Sequence, residues 1–210
     1  MKRFVLIVIG VLGVHYAFAQ TRAVTETGDE VILYDDGTWK YQNEDDVEKM
    51  IIPINPKLFT KDKGSTFLLK SNKIEVGIWI NPKEWSFKKL DDSSAQEYEL
   101  QLKKEDLRGI ILTEKAEIPL QSLRLIALRN ARNAAPDVEI VEEEYRNVNG
   151  LNVLSLKMKG TVEGMKFAYY GYYYSSSIGT VQFITFTFQN LMDKYLVECE
   201  KLLNGFVEIK

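Results

Sequence analysis

Four β-prone runs follow one another at hairpin spacing between residues 138 and 188, and an amphipathic helical stripe stands on either side of them. Val138 to Asn147, Leu151 to Lys159, Lys166 to Tyr174 and Val181 to Phe188 are separated by Asn149-Gly150, by Gly164 and by the Ser-rich stretch Ser175 to Gly179. Asn-Gly and Gly-containing turns of this length support the positive φ angles that tight hairpins need. Hairpin succession implies antiparallel pairing. The run before it, Pro119 to Ala134, places Leu120, Leu123, Ala127 and Ala131 on one helical stripe, with Pro119 at the first helical position and Pro136 as the stop. The run after it places Leu191, Met192, Tyr195, Leu196, Cys199, Leu202 and Leu203 on one face, with Asn190 as cap, Asp193 in the first turn and Asn204-Gly205 as the end. Phe206 to Ile209 then reads as a short closing strand.

Upstream, Thr66 to Lys70 and Ile74 to Ile80 read as a strand pair ended by Asn81-Pro82, followed by strands at Trp85 to Lys89, Glu97 to Lys103 and Arg108 to Thr113. An antiparallel sheet on which two helices pack buries both stripes most simply, so the expected fold class is α+β over residues 64–210. Residues 20–45 form a separate segment, in which Val31 to Tyr34 and Thr38 to Tyr41 flank Asp36-Gly37 as a β-hairpin. An isolated two-stranded hairpin is marginal in water, so it must dock. Residues 46–63, with acidic residues and then Pro53 and Pro56, read as a linker.

The first residues carry an address. Lys2 and Arg3 precede the apolar run Phe4 to Val14, and Ala17-Phe18-Ala19 supplies small residues for cleavage, so residues 1–19 read as a signal peptide cut before Gln20. The apolar run falls short of the roughly 20 residues a membrane span requires. No later run reaches that length. The expected location is the periplasm or the extracellular space. Cleavage leaves 191 of the 210 residues and lowers the 27 basic residues to 25 against 30 acidic ones, a net charge of −5. A net-negative surface of mixed sign argues against nucleic acid as a partner.

Cleavage also removes His15, the single histidine. Ser-His-Asp and Cys-His chemistry and imidazole metal sites are thereby excluded, and neither a metal nor a cofactor is expected. Cys199, the single cysteine, lies on the apolar stripe of the last helix and reads as a small buried hydrophobe. Arg124, Arg129 and Arg132 read as the solvated face of their helix. Carboxylate pairs such as Asp35-Asp36, Asp91-Asp92 and the run Glu142-Glu143-Glu144 are explained by turns, loops and a solvated strand face. A histidine-free hydrolase would need two of these acids to converge in one cleft. No catalytic residue is therefore assigned.

The least ordinary stretch is Tyr169-Tyr170-Gly171-Tyr172-Tyr173-Tyr174. In a strand, Phe167, Tyr169 and Tyr173 point one way and Tyr170, Tyr172 and Tyr174 the other. These side chains belong either to a sheet covered on both faces or to an aromatic platform for a glycan, a peptide or an envelope protein. On the second reading Tyr170, Tyr172 and Tyr174 form the ligand or partner surface. Trp39, beside the hairpin turn, either staples the hairpin onto the main domain, which marginal hairpin stability favours, or joins them as a handle.

The Trp85 segment, the helix after Ile110-Ile111-Leu112, the tyrosine run and Thr180-Val181-Gln182-Phe183-Ile184-Thr185 leading into the last helix resemble the α/β/α sandwich of the PsbP, Mog1 and DcrB-like proteins. The resemblance spans about residues 64–210. It implies a non-enzymatic protein that assists or binds other macromolecules, and it places no functional residue. Gly28 to Trp39 resembles a hairpin segment common in secreted Bacteroidota proteins, which implies a bacterial envelope origin.

Overall fold

The computed structural model describes residues 21–24, 30–34, 39–41, 52–91 and 94–209, and within 39–41 the backbone alone. The chain divides into two compact units. In the first, β1 (Thr21–Val24), β2 (Glu30–Leu33) and β3 (Trp39–Tyr41) form an antiparallel three-stranded sheet in the order β1-β2-β3. The expected strand pairing is present, with Leu33 opposite Trp39 and Val31 opposite Tyr41, and a third strand is added to it. The turn residues 35–38 and the Trp39 side chain lie outside the described residues, as do residues 1–20.

The second unit is built on an eight-stranded sheet. Its strands are β4 (Ile54–Phe59), β7 (Trp85–Lys89), β8 (Gln96–Leu102), β9 (Arg108–Glu114), β10 (Glu139–Val148), β11 (Leu151–Val162), β12 (Met165–Ser176) and β13 (Gly179–Phe188), in the order β4-β10-β11-β12-β13-β9-β8-β7. The meander forms as expected. Asn149 and Gly150 both take positive φ between the paired Val148 and Leu151, and Glu163 and Gly164 do the same between Val162 and Met165, the geometry that two-residue hairpins favour.

One expectation fails at the far edge. Residues 54–59, read as linker, are strand β4, and it runs parallel to β10, so the sheet is mixed and not purely antiparallel. Two prolines and six residues with only Phe59 buried gave no alternating pattern, yet an edge strand needs neither full burial nor an N–H at every position. The chain leaves β4 and returns only after five strands and a helix, a connection long enough to permit parallel pairing.

The sheet is covered on both faces. Helix α1 (Leu120–Ala134) lies on one, packing Leu123 and Ala127 against Leu154, Leu156 and Tyr173. The other is shared by α2 (Met192–Leu203) and a small sheet of β5 (Phe67–Lys70), β6 (Val76–Ile80) and β14 (Phe206–Glu208), ordered β14-β6-β5. There Ile78, Ile80, Phe206, Leu202 and Cys199 join Leu100, Ile111, Val181 and Phe183 in the largest core cluster.

Helix ends depart from expectation in two places. Asn190 does not cap α2; it sits inside a 3-10 turn, Gln189–Leu191, in which the Met192 N–H is bonded to the Gln189 carbonyl, so no side-chain cap is needed. Gly205 follows α2 without a positive φ. It is required by proximity instead, since a Cβ there would lie 2.0 Å from the Trp79 carbonyl oxygen, and the Trp79 N–H donates to the Gly205 carbonyl at 2.8 Å.

Candidate functional site

The tyrosine strand is core on both faces. Tyr170, Tyr172 and Tyr173 are at most 1% exposed and Tyr174 is 7% exposed, so no aromatic platform faces solvent through these residues. The physical reason is coverage: α2 and the small sheet lie over Tyr170, Tyr172 and Tyr174, and α1 lies over Tyr173. Gly171 marks a close approach from within the sheet, where Ile184 of β13 reaches 3.1 Å from the position a Cβ would take.

What the tyrosines do is hold an arginine. Arg146 extends from β10 on the same face and is 5% exposed. Ser155 stands between Glu144 and Tyr172 in the register, and its small side chain leaves room for the guanidinium to cross. Nε donates to Glu144, and Nη1 donates to the Tyr170 hydroxyl, to the Tyr172 hydroxyl at 3.0 Å and to Glu200 at 3.5 Å. The guanidinium carbon lies 4.4 Å from the centroid of the Phe59 ring on β4. The tyrosines pass the contacts on, Tyr170 to Glu200 at 3.3 Å and Tyr172 to Asn204 at 2.9 Å. On the other side, Asn55 donates to both oxygens of Glu144, at 3.1 and 3.0 Å. Lys157 lies 5.1 Å from the Tyr170 ring and pairs with Glu142 at 2.9 Å.

The electrostatics keep the arginine charged and both tyrosines neutral near neutral pH. Burial alone would lower the Arg146 pKa, but the neighbouring tyrosines and the bond to Glu144 more than offset it, and the guanidinium is held above its usual value. Burial raises the Tyr170 and Tyr172 hydroxyls above the usual tyrosine range against the opposing pull of Arg146. Both therefore remain neutral donors. The arginine and the two tyrosines thus have no proton to exchange near pH 7.

The run Glu142-Glu143-Glu144 alternates sides as expected, but its members are not simply solvated. Glu144 meets Arg146, while Glu143 meets Arg124 of α1 in a two-pronged ion pair whose side chains are 14% and 11% exposed. Arg124 is thus removed from the solvated face assigned to it. Sequence reasoning also missed Arg146, Asn55, Glu200 and Asn204. An arginine at the end of a β-run was the available signal, but only the register shows that it reaches tyrosines two strands away.

Cys199 is fully buried, and burial pushes its thiol up to about 11. Among the described residues the one buried carboxylate, Glu97, accepts from Ser71 at 2.6 Å, from the Asn72 backbone at 2.8 Å and from Thr113, which fixes the loop after β5 to the main sheet. Among the described residues no cluster of three or more Asp, Glu, Cys or His side chains is arranged to hold a metal, and no helix is long and apolar enough to cross a membrane.

Comparison with solved structures identifies the architecture. The solution structure of cyanobacterial PsbP (CyanoP) from Synechocystis matches with a TM-score of 0.52 at 13% identity, over 70% of this chain and 94% of that one. The fold is that of the PsbP/Mog1/DcrB-like proteins. LpqN of Mycobacterium tuberculosis, described as involved in cell envelope biogenesis, is similar at 9% identity with a TM-score of 0.46, over 69% of this chain and 90% of that one. A Pseudomonas aeruginosa protein of unknown function, PA94, has a TM-score of 0.45 at 12% identity, over 69% and 97%. No protein-family model matches the sequence, and no curated protein matches it. At 13% identity CyanoP shares the fold with this chain, and no site is transferable from it.

Proposed function

We propose that this chain is an exported, non-enzymatic binding or accessory protein of the bacterial cell envelope. The observation that carries the reading is the Arg146 centre: a buried cation braced by two neutral tyrosines, with carboxylates already engaged around it. Preorganised hydrogen bonds suit recognition, whereas general acid–base catalysis uses a group that gains or loses a proton near working pH, which the arginine and the tyrosines do not. Glu144 and Glu200 do converge, as a two-carboxylate hydrolase would require. The guanidinium contacts both and occupies the gap that a sugar would need. The single thiol is buried and held protonated, which further favours binding.

The test has two parts. Expressed with its own leader in a bacterial host, the protein is expected to begin at Gln20 and to be released with the periplasmic or secreted fraction; an intact leader in the membrane fraction overturns export. Incubated with envelope glycans and peptides, it is expected to leave them chemically unchanged; release of hydrolysis products overturns the non-enzymatic reading.

A further inference from the structure

We propose that Arg146 and Lys57 form a binding site for a carboxylate group, and that Glu200 acts as an internal stand-in for that ligand. This rests on the binding reading above and names its chemistry.

Three observations converge. Arg146 has five N–H groups, but no described residue accepts from Nη2. Among the described residues the one fully enclosed side-chain polar atom without a partner is the Tyr173 hydroxyl, so Nη2 is not wholly enclosed. The two carboxylates on Arg146 are also held unequally. Glu144 is clamped by Asn55 through both oxygens, whereas the Glu200 side chain is 34% exposed and reaches Nη1 at 3.5 Å, the limit of a hydrogen bond. Finally, a second cation stands at the same ring. The exposed Lys57 ammonium lies 5.0 Å from the Phe59 centroid that Arg146 approaches at 4.4 Å, and among the described residues Lys57 has no carboxylate partner.

A planar anion matches a guanidinium edge in two-pronged geometry. A single negative charge is favoured over a phosphate dianion, because Glu144 and Glu200 repel each added charge. A peptide C-terminus and an acidic sugar carry the same group. Either would take the Nη1–Nη2 edge of Arg146 in place of Glu200, draw on Lys57 and release Glu200 toward solvent.

The experiment titrates the full chain with N-acetyl-alanine and with glucuronate, using N-acetyl-alanine amide and glucose as uncharged controls, and reads heat of binding and the unfolding midpoint. At least one carboxylate is expected to bind and its control to fail; which one binds identifies the source. Glu200→Gln is expected to tighten binding about fivefold or more by removing the competing state. Lys57→Ala, an exposed position whose loss leaves the fold intact, is expected to weaken it several-fold. Arg146→Lys is expected to abolish it, with circular dichroism confirming the fold. Failure of both carboxylates on wild type and on Glu200→Gln overturns the proposal, as does equal affinity of wild type and Glu200→Gln. If uncharged peptides or glycans bind and Lys57→Ala has no effect, the carboxylate site falls while the general binding reading stands.

Discussion

Two arginines of this chain are buried to a similar degree and serve different ends. Arg124 is paired with Glu143 in a two-pronged contact that closes on itself, whereas Arg146 leaves one nitrogen uncommitted. Neither role was legible from residue type, because an arginine on an amphipathic helix and one at a strand end are both ordinary surface patterns. Cys199 is the opposite case: its place on an apolar stripe announced its burial, and the structure agrees. With the thiol raised to about 11 by burial, a thiol reagent at about pH 8 is expected to react only as fast as the protein unfolds. A rapid reaction in the native state, measured by mass spectrometry, would contradict the packing of α2.

At the scale of elements, periodicity carried most of the information. The four-strand meander, both helices and the strands after Trp85 stand within a few residues of their expected bounds, because each has one face committed to a core. The Pro-containing β4 was illegible for the converse reason. Ile54 is 77% exposed and Leu58 72% exposed, so the strand carries no burial pattern and is defined by the neighbour it pairs with. The attachment of α1 was half legible: its apolar stripe is visible, but the Arg124–Glu143 tie to β10 is not. Removing Glu143 takes from Arg124 its two-pronged, largely buried partner, so Glu143→Ala is expected to cost about 1.5 to 3 kcal/mol in urea unfolding. Replacing both partners by apolar residues is expected to cost much less.

For the whole molecule, the concentration of buried acids of high pKa sets the response to base. Burial raises the hydroxyls of Tyr170, Tyr172 and Tyr173 and the thiol of Cys199, so the folded chain keeps protons that the unfolded chain releases at about pH 9 to 10. The unfolded state then binds fewer protons, and stability falls as pH rises. The contribution is complete below about pH 9 and is lost above it. Urea midpoints are expected to be level from about pH 7 to 9 and to drop steeply beyond about pH 10, with tyrosinate absorbance rising in step with unfolding. Midpoints that stayed level at higher pH would show that these hydroxyls are reached by solvent in the native state.

The parallel edge also bears on how the chain matures. Asn55 and Glu144 are 89 residues apart, Arg146 and Glu200 are 54 apart, and the arginine centre draws on β4, β10, β12 and α2. Contacts between such distant segments form late, because the intervening chain must first be ordered. A nascent chain can complete its hairpins locally and still lack this centre until the last helix arrives. Every shortened product of synthesis or proteolysis that lacks α2 therefore lacks Glu200 and the Asn204 after it, and leaves the arginine centre incomplete.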